Sequence, residues 1–200
     1  MSRTFLTALM IAGTALLPAA YALEIEGVNI DEKITLSSGG PEVVLNGAGV
    51  RHKFGFFKVY VGTLYLTQKK TDRDAVFADP GPKRVGMHIL ASEVTATELI
   101  TSMNNALAVN LVPHELALIE KRIRDLNSMM SSIKTIGKGS VVYLDYIPDV
   151  GTRITVNGQE RITIPGEDFF RAMLHIWIGT KPVDGRLRDA MLGGAPNKLF

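Results

Sequence analysis

Residues 56 to 66, Phe-Phe-Lys-Val-Tyr-Val-Gly-Thr-Leu-Tyr-Leu, restrict the fold more than any other stretch of this chain. Phe57, Val59, Val61 and Tyr65 share one parity, and Phe56, Tyr60, Leu64 and Leu66 share the other. Successive side chains of a strand point to opposite faces, so a strand apolar on both parities must be covered on both. The segment therefore reads as a central strand with material packed above and below it.

The chain before it carries strand signals too. Leu23-Glu24-Ile25-Glu26 alternates and Val43-Val44-Leu45 is a short apolar run, with Gly39-Gly40-Pro41 and Asn46-Gly47 as punctuation. After a polar loop containing Pro80-Gly81-Pro82, Val85 to Leu90 reads as a further strand. Two helices follow. Thr95 or Thr97 can cap the first, whose apolar positions Leu99, Ile100, Met103, Ala106 and Leu107 recur at helical spacing until Pro113 ends it. Leu116, Ile119, Ile123, Leu126, Met130 and Ile133 give the second a three-four alternation, the stripe of a helix packed on a sheet. Lys121, Arg122 and Arg124 are then its solvated face, with Glu120 and Arg124 as an i,i+4 pair.

The last third returns to sheet. Val141 to Ile147, Thr152 to Val156 and Gln159 to Ile164 form a meander whose Asn157-Gly158 step is a strong hairpin signal. Pro165-Gly166 breaks it, and Glu167 to Ile178 is an amphipathic helix with Phe169, Phe170, Met173, Leu174 and Trp177 inward, ending at Gly179. A short helix over about Arg186 to Leu192 closes the chain. Strands, then helices, then strands indicate an α+β fold rather than repeated βαβ units.

Arg3 followed by the uncharged apolar run Phe5–Leu17 and the small-x-small site Ala20-Tyr21-Ala22 reads as a cleaved signal peptide over residues 1–22. The run is too short to span a bilayer and Pro18 breaks it. Removing 22 of 200 residues leaves 178, residues 23–200, the size of one domain. No cysteine exists to accept a lipid, so the processed chain is expected to be soluble, without stable membrane insertion, and periplasmic in a Gram-negative cell. Lack of cysteine also excludes disulfides, thiolate-bound metals and thiol nucleophiles. The net charge of +2 lacks the strong positive bias of a nucleic-acid binder.

The four histidines are scattered without metal-ligand spacing, so no metal is expected; His175 shares a helix side with Arg171 and Asp168 and reads as part of a surface salt-bridge cluster. There is no nucleophile elbow, phosphate loop or dinucleotide fingerprint, Gly47-Ala48-Gly49 being too short for the last, and no cofactor is expected. Arg51 stands out because it leads from that glycine turn into the doubly covered strand. Most arginines are exposed, which gives it a solvated place at a sheet edge. The alternative is a place in a cleft, where its planar fork binds a carboxylate or polarises a carbonyl.

Asn46-Gly47-Ala48-Gly49-Val50-Arg51, continuing through Phe56 to Leu66, together with Ile176-Trp177-Ile178-Gly179 and Leu187, resembles the chalcone isomerase family, in particular its bacterial signal-bearing, chalcone isomerase-like branch. The resemblance implies an open-faced β-sandwich: a large antiparallel sheet with helices layered on one face and a ligand cleft between. The family's electrophilic arginine falls on Arg51. Its strand threonine falls on Tyr60, and its C-terminal helix threonine on Ile176. Its first-helix tyrosine and asparagine fall near Glu98 and Asn105, although the helical wheel places these two opposite the apolar stripe and Asn104 and Asn110 nearer to it.

Isomerisation of a chalcone needs donors on the developing oxyanion, and losing one typically costs on the order of 100-fold. With Tyr60, Ile176 and Glu98 at those positions, the hydroxyl network is incomplete. The family also contains non-catalytic members that hold fatty-acid carboxylates with the same arginine and a nearby tyrosine. The expectation is thus a periplasmic, non-catalytic binder of an apolar carboxylate or similar amphipathic molecule, with Arg51, Tyr60, Asn105 and Ile176 at the site. An isomerase or lyase acting on an unsaturated carbonyl compound, with Arg51 as its catalytic residue, is the enzyme alternative. A third possibility is a structural domain in which Arg51 forms a buried salt bridge with Glu98 or Asp145.

Overall fold

The computed structural model describes residues 22–196. The leader expected over residues 1–22 lies outside these except for Ala22, the first residue of β1 (Ala22–Ile25). The chain continues through β2 (Val28–Asp31), β3 (Lys33–Thr35), β4 (Glu42–Lys53), β5 (Phe57–Leu66), α1 (Arg73–Phe77), β6 (Lys83–Ile89) and β7 (Glu93–Thr95). A helical pair follows, α2 (Ala96–Asn110) and α3 (Pro113–Ile133). The rest is β8 (Thr135–Gly137), β9 (Val141–Ile147), β10 (Gly151–Val156), β11 (Gln159–Ile164), α4 (Glu167–Ile178) and α5 (Gly185–Met191).

Seven strands form one antiparallel sheet in the order β11-β10-β9-β6-β5-β4-β3. The fold is α+β, and helices cover one sheet face. Tyr60, Leu64, Leu66, Val85, Leu144 and Ile154 pack there against α2, α3, α4 and α5. On the other face Val43, Leu45, Val50, Val61 and Tyr65 pack against Ile25 and Ile30 of the β1–β2 hairpin. That two-sided burial is what the apolar pattern of β5 requires, and it holds from Tyr60 to Leu66. Phe56 and Phe57 depart from it, at 62% and 58% exposure, because the start of β5 runs beyond both layers.

The α3 stripe faces the core as expected, with Ile119 and Leu126 buried and Leu116, Ile123, Met130 and Ile133 half-buried against it, and a capping box between Thr95 and Glu98 fixes the start of α2. Arg122 is a correction: instead of joining the solvated face of α3, it grips both oxygens of Asp168 at the start of α4, at 2.7 and 2.5 Å. His175 is another. It stacks on Phe77, with ring centroids 4.5 Å apart, while Arg171 pairs with Glu167. The loop before β6 also contains the unanticipated α1, capped by Asp72 and pinned by fully buried Val76.

The glycine turn has a packing reason. At Gly47 a Cβ would overlap the backbone carbonyls of Ala190 and Met191, and at Gly62 it would press on Leu187. These two positions let α5 lie directly on β4 and β5. Between them and the loop after β5, bulged Asn46 donates its amide to Lys70 and Met191 carbonyls and accepts from the Lys70 N–H.

Candidate functional site

A cavity of about 680 Å³ lies between the helical face of the sheet and helices α2, α3 and α4. Its walls are mainly apolar: Val142, Leu144 and Ile154 from the sheet, Met129, Met130 and Ile133 from α3. Such a volume sits within the ~300–1,000 Å³ typical of small-molecule sites. Arg51, Tyr60, Asn105 and Ile176 all line this one cavity, so the four sequence-derived residues come together in space.

Register explains how the first two meet. Arg51 pairs with Tyr60 across β4 and β5, and a bulge immediately follows, with His52 opposite Lys58 and Val59 left over. The bulge turns the Val59 carbonyl toward the Leu90 and Ala91 N–H groups, at 2.9 and 3.1 Å. Bulges of this kind re-aim side chains at the rim of a sheet. Arg51 and Tyr60 therefore share the helical face, with the guanidinium carbon 5.8 Å from the Tyr60 ring centre.

Tyr60 is fully enclosed, and its hydroxyl accepts a 2.9 Å hydrogen bond from the indole N–H of Trp177 in α4. Burial pushes its pKa up to about 12, so the phenol stays neutral and keeps its own proton to donate. Arg51 is half-buried and makes a long 3.4 Å contact with the Ser102 hydroxyl of α2. Among the described residues no carboxylate lies within ion-pair distance of it. Both candidate structural partners are taken. Glu98 pairs with Lys53 at 3.0 Å and closes the cap of α2, and its carboxyl is drawn down to about 2 by the Thr95 N–H and Lys53. Asp145 lies on the opposite sheet face, between Arg84 and Arg153.

On α2 the cavity meets Glu98, Leu99, Ser102, Met103 and Asn105. The positions aligned by resemblance thus reach the cavity, and those favoured by the helical wheel do not: Asn104 lines a shallow groove against α3, and Asn110 binds the Lys181 backbone beyond α4. The wheel holds for exposure, with Glu98 and Asn105 exposed and Asn104 and Asn110 half-buried, and the cavity reaches the exposed pair because α2 buries one side on α4 and α3 while a second side roofs it. Ile176 is buried at the wall and contributes only hydrocarbon. Sequence reasoning missed Ser102 as a neighbour of Arg51 and Trp177 as the donor to Tyr60. Only the inward placement of Trp177 was visible, since an indole N–H carries no sign of its partner. Among the described residues, no three His, Asp or Glu side chains are grouped to hold a metal, and no helix is long and apolar enough to cross a membrane.

A family model described as chalcone isomerase-like matches residues 22–193. The fold is similar to the crystal structure of a fatty-acid binding protein of Arabidopsis thaliana, with a TM-score of 0.63 and 14% identity over 89% of this chain and 95% of that one. No curated protein matches.

Proposed function

Since the chain belongs to the chalcone isomerase-like family, we propose that it is a non-catalytic binding protein for an apolar carboxylate, or a similar amphipathic small molecule, anchored by Arg51. The observation that carries this reading is a guanidinium on the wall of a mainly apolar cavity, without a carboxylate partner among the described residues. A cation beside hydrocarbon is costly unless paired, and a ligand carboxylate supplies the pair. The neutral Tyr60 hydroxyl lies on the same wall, and the methionine and isoleucine side chains of α3 suit an acyl tail. That the Arabidopsis protein of similar fold is named for fatty-acid binding is consistent with this ligand class. We further propose that the protein acts in the periplasm after loss of residues 1–22, which a Leu23 N-terminus in osmotic-shock fluid would test.

Calorimetric titration with saturated fatty acids of increasing length tests the ligand. Each methylene should tighten binding by about 0.8 kcal/mol until the cavity is full. Arg51→Ala should weaken binding by about 1.5 to 3 kcal/mol, the scale of a charged hydrogen bond, with Arg51→Lys rescuing partly. If Arg51→Ala binds as tightly as wild type, or no fatty acid binds at all, the reading fails. Stereoselective cyclisation of a hydroxylated chalcone, lost in Arg51→Ala, would replace it with the isomerase.

A further inference from the structure

The hairpin joining β4 to β5 ends in an unusual tip. Phe54, Phe56 and Phe57 are 76%, 62% and 58% exposed, and the rings of Phe56 and Phe57 touch one another at 4.2 Å rather than any core. Soluble proteins rarely cluster large apolar groups on a projecting turn without using them.

The backbone makes the choice of Phe54 harder to explain by folding. Phe54 and Gly55 have φ of 55° and 83°, positive at both positions, and the Phe56 N–H closes the turn on the Lys53 carbonyl. Two other hairpin turns of the described residues have positive φ at two successive positions, Glu26–Gly27 at 54° and 75° and Asn157–Gly158 at 52° and 77°. Asn-Gly is the pair such turns favour, whereas a left-handed conformation costs a bulky L-residue roughly 1–2 kcal/mol. Phe54 therefore bears a backbone cost and an exposure cost together, offset in part by the Lys53 ammonium 5.6 Å over its ring.

Charge identifies what the tip meets. Residues 43 to 71 contain Arg51, Lys53, Lys58, Lys69 and Lys70 and no aspartate or glutamate. Lys53 and Lys58 flank the three rings, and Arg186 of α5 reaches over to the Gly55 carbonyl at 3.2 Å without a carboxylate partner among the described residues. Glu98 and Glu26 neutralise the two lysines, which leaves Arg186 and Arg51 as surplus positive charge beside the aromatic tip. Aromatic rings projecting between cations are the pattern that enters the headgroup region of an anionic bilayer. The tip is also continuous with the cavity, because Lys53, Phe57 and Lys58 line both.

We propose that the Phe54–Phe57 tip docks the protein reversibly on an anionic phospholipid surface, with the cavity mouth facing the lipid. The rings enter the interface while Arg186 meets phosphate groups. Docking of this kind is peripheral and requires no membrane-spanning segment. It extends the cavity reading to where an amphipathic ligand is collected, and the two are separable because ligand binding is measured without vesicles.

The test is co-sedimentation with phosphatidylglycerol-containing and pure phosphatidylcholine vesicles. Wild type and Phe54→Asn/Phe56→Ser are expressed with the leader and matched for N-terminus by mass spectrometry. Asn relieves the turn, so the variant should melt no lower than wild type. Neither substituted residue lines the cavity, so its affinity for a monomeric fatty acid should be unchanged. Wild type should bind the anionic vesicles, weaken as salt rises, and lose about tenfold in partitioning for each phenylalanine withdrawn. Equal partitioning of the two proteins, or no binding of wild type to anionic vesicles, overturns the proposal. So does concentration-dependent dimerisation that the variant abolishes, which would assign the tip to a second copy of the chain.

Discussion

Asp145 is fully buried on the sheet face away from the cavity, and replacing its main partner should cost more than any change at Arg51. Arg84 reaches Asp145 with two hydrogen bonds, Nε to Oδ1 at 2.6 Å and an Nη to Oδ2 at 2.8 Å, and stacks 3.9 Å from the centre of the Tyr143 ring. Arg153 adds a third bond at 2.9 Å. The side chains of Arg84 and Arg153 are 15% and 24% exposed, while that of Asp145 is 0% exposed. Removing a cation therefore strands a charge that cannot reach water. Arg84→Met preserves much of the packing and removes the charge. Breaking a buried pair typically costs ~3–5 kcal/mol, and the remaining Arg153 bond places this case at the lower end, about 3 kcal/mol. For a chain of this size that corresponds to a fall in Tm of about 6 to 12 °C. Arg153→Met, which removes one bond to Asp145 and one to the Leu36 carbonyl, should cost less, because Arg84 still holds Asp145 with two bonds. Urea titrations, with the midpoint falling and the slope unchanged, supply the numbers. Fatty-acid affinity of the folded variants should match wild type, since the cluster and the cavity lie on opposite faces. A cost below about 1 kcal/mol for Arg84→Met, or a cost greater for Arg153→Met than for Arg84→Met, would refute the argument from stranded charge.

Gly47→Ala should push α5 off the sheet and destabilise by about 1 to 3 kcal/mol, because the new methyl meets backbone rather than a movable side chain; an unchanged melt would count against the close approach. Tyr60→Phe leaves the buried Trp177 N–H without its acceptor, for about 1 to 3 kcal/mol and a shift in the emission of the sole tryptophan; unchanged emission and stability would contradict that bond. Burial lowers the pKa of His52, His88 and His175 below the ordinary value. The unfolded chain then binds more protons than the native one below about pH 6.5, so stability is complete above that pH and falls as pH drops toward the lowered native values. Melts from about pH 7.5 to 5 should show it, and a flat Tm across that window would contradict it. Glu98, held near 2, contributes its loss only below its ordinary 4.5.

Much of the architecture was legible because periodicity reports burial directly. The α3 stripe, the Asn157-Gly158 turn and Glu167–Ile178 emerged as read, since each depends on residues close in sequence. What escaped depends on distant partners. Nothing near Arg122 points to Asp168, 46 residues on, and nothing near Phe56 tells that β5 outruns its covering layers. Glu98 reads as a surface carboxylate on a wheel and is one, but a wheel does not show that it also meets the cavity beside Asn105. The cavity residues were gathered by resemblance, whereas the missing ion partner of Arg51 required the fold.

The three-pair stitch between β7 and β8 lies where the helical layer leaves and rejoins the sheet, with Val94 opposite Ile136. Everything from α2 to α3 is one excursion between β6 and β9, which pair directly, so the seven-stranded ladder is closed without any help from the helices. The floor of the cavity and this part of its roof are thus separate hydrogen-bonded units. Displacing α2 and α3 would break the Lys53–Glu98 clasp, the Arg122–Asp168 pair and the Asn110 bonds to Lys181 but would unpair no strand of the main sheet. The ladder of the scaffold is in this way independent of the helical layer that covers it.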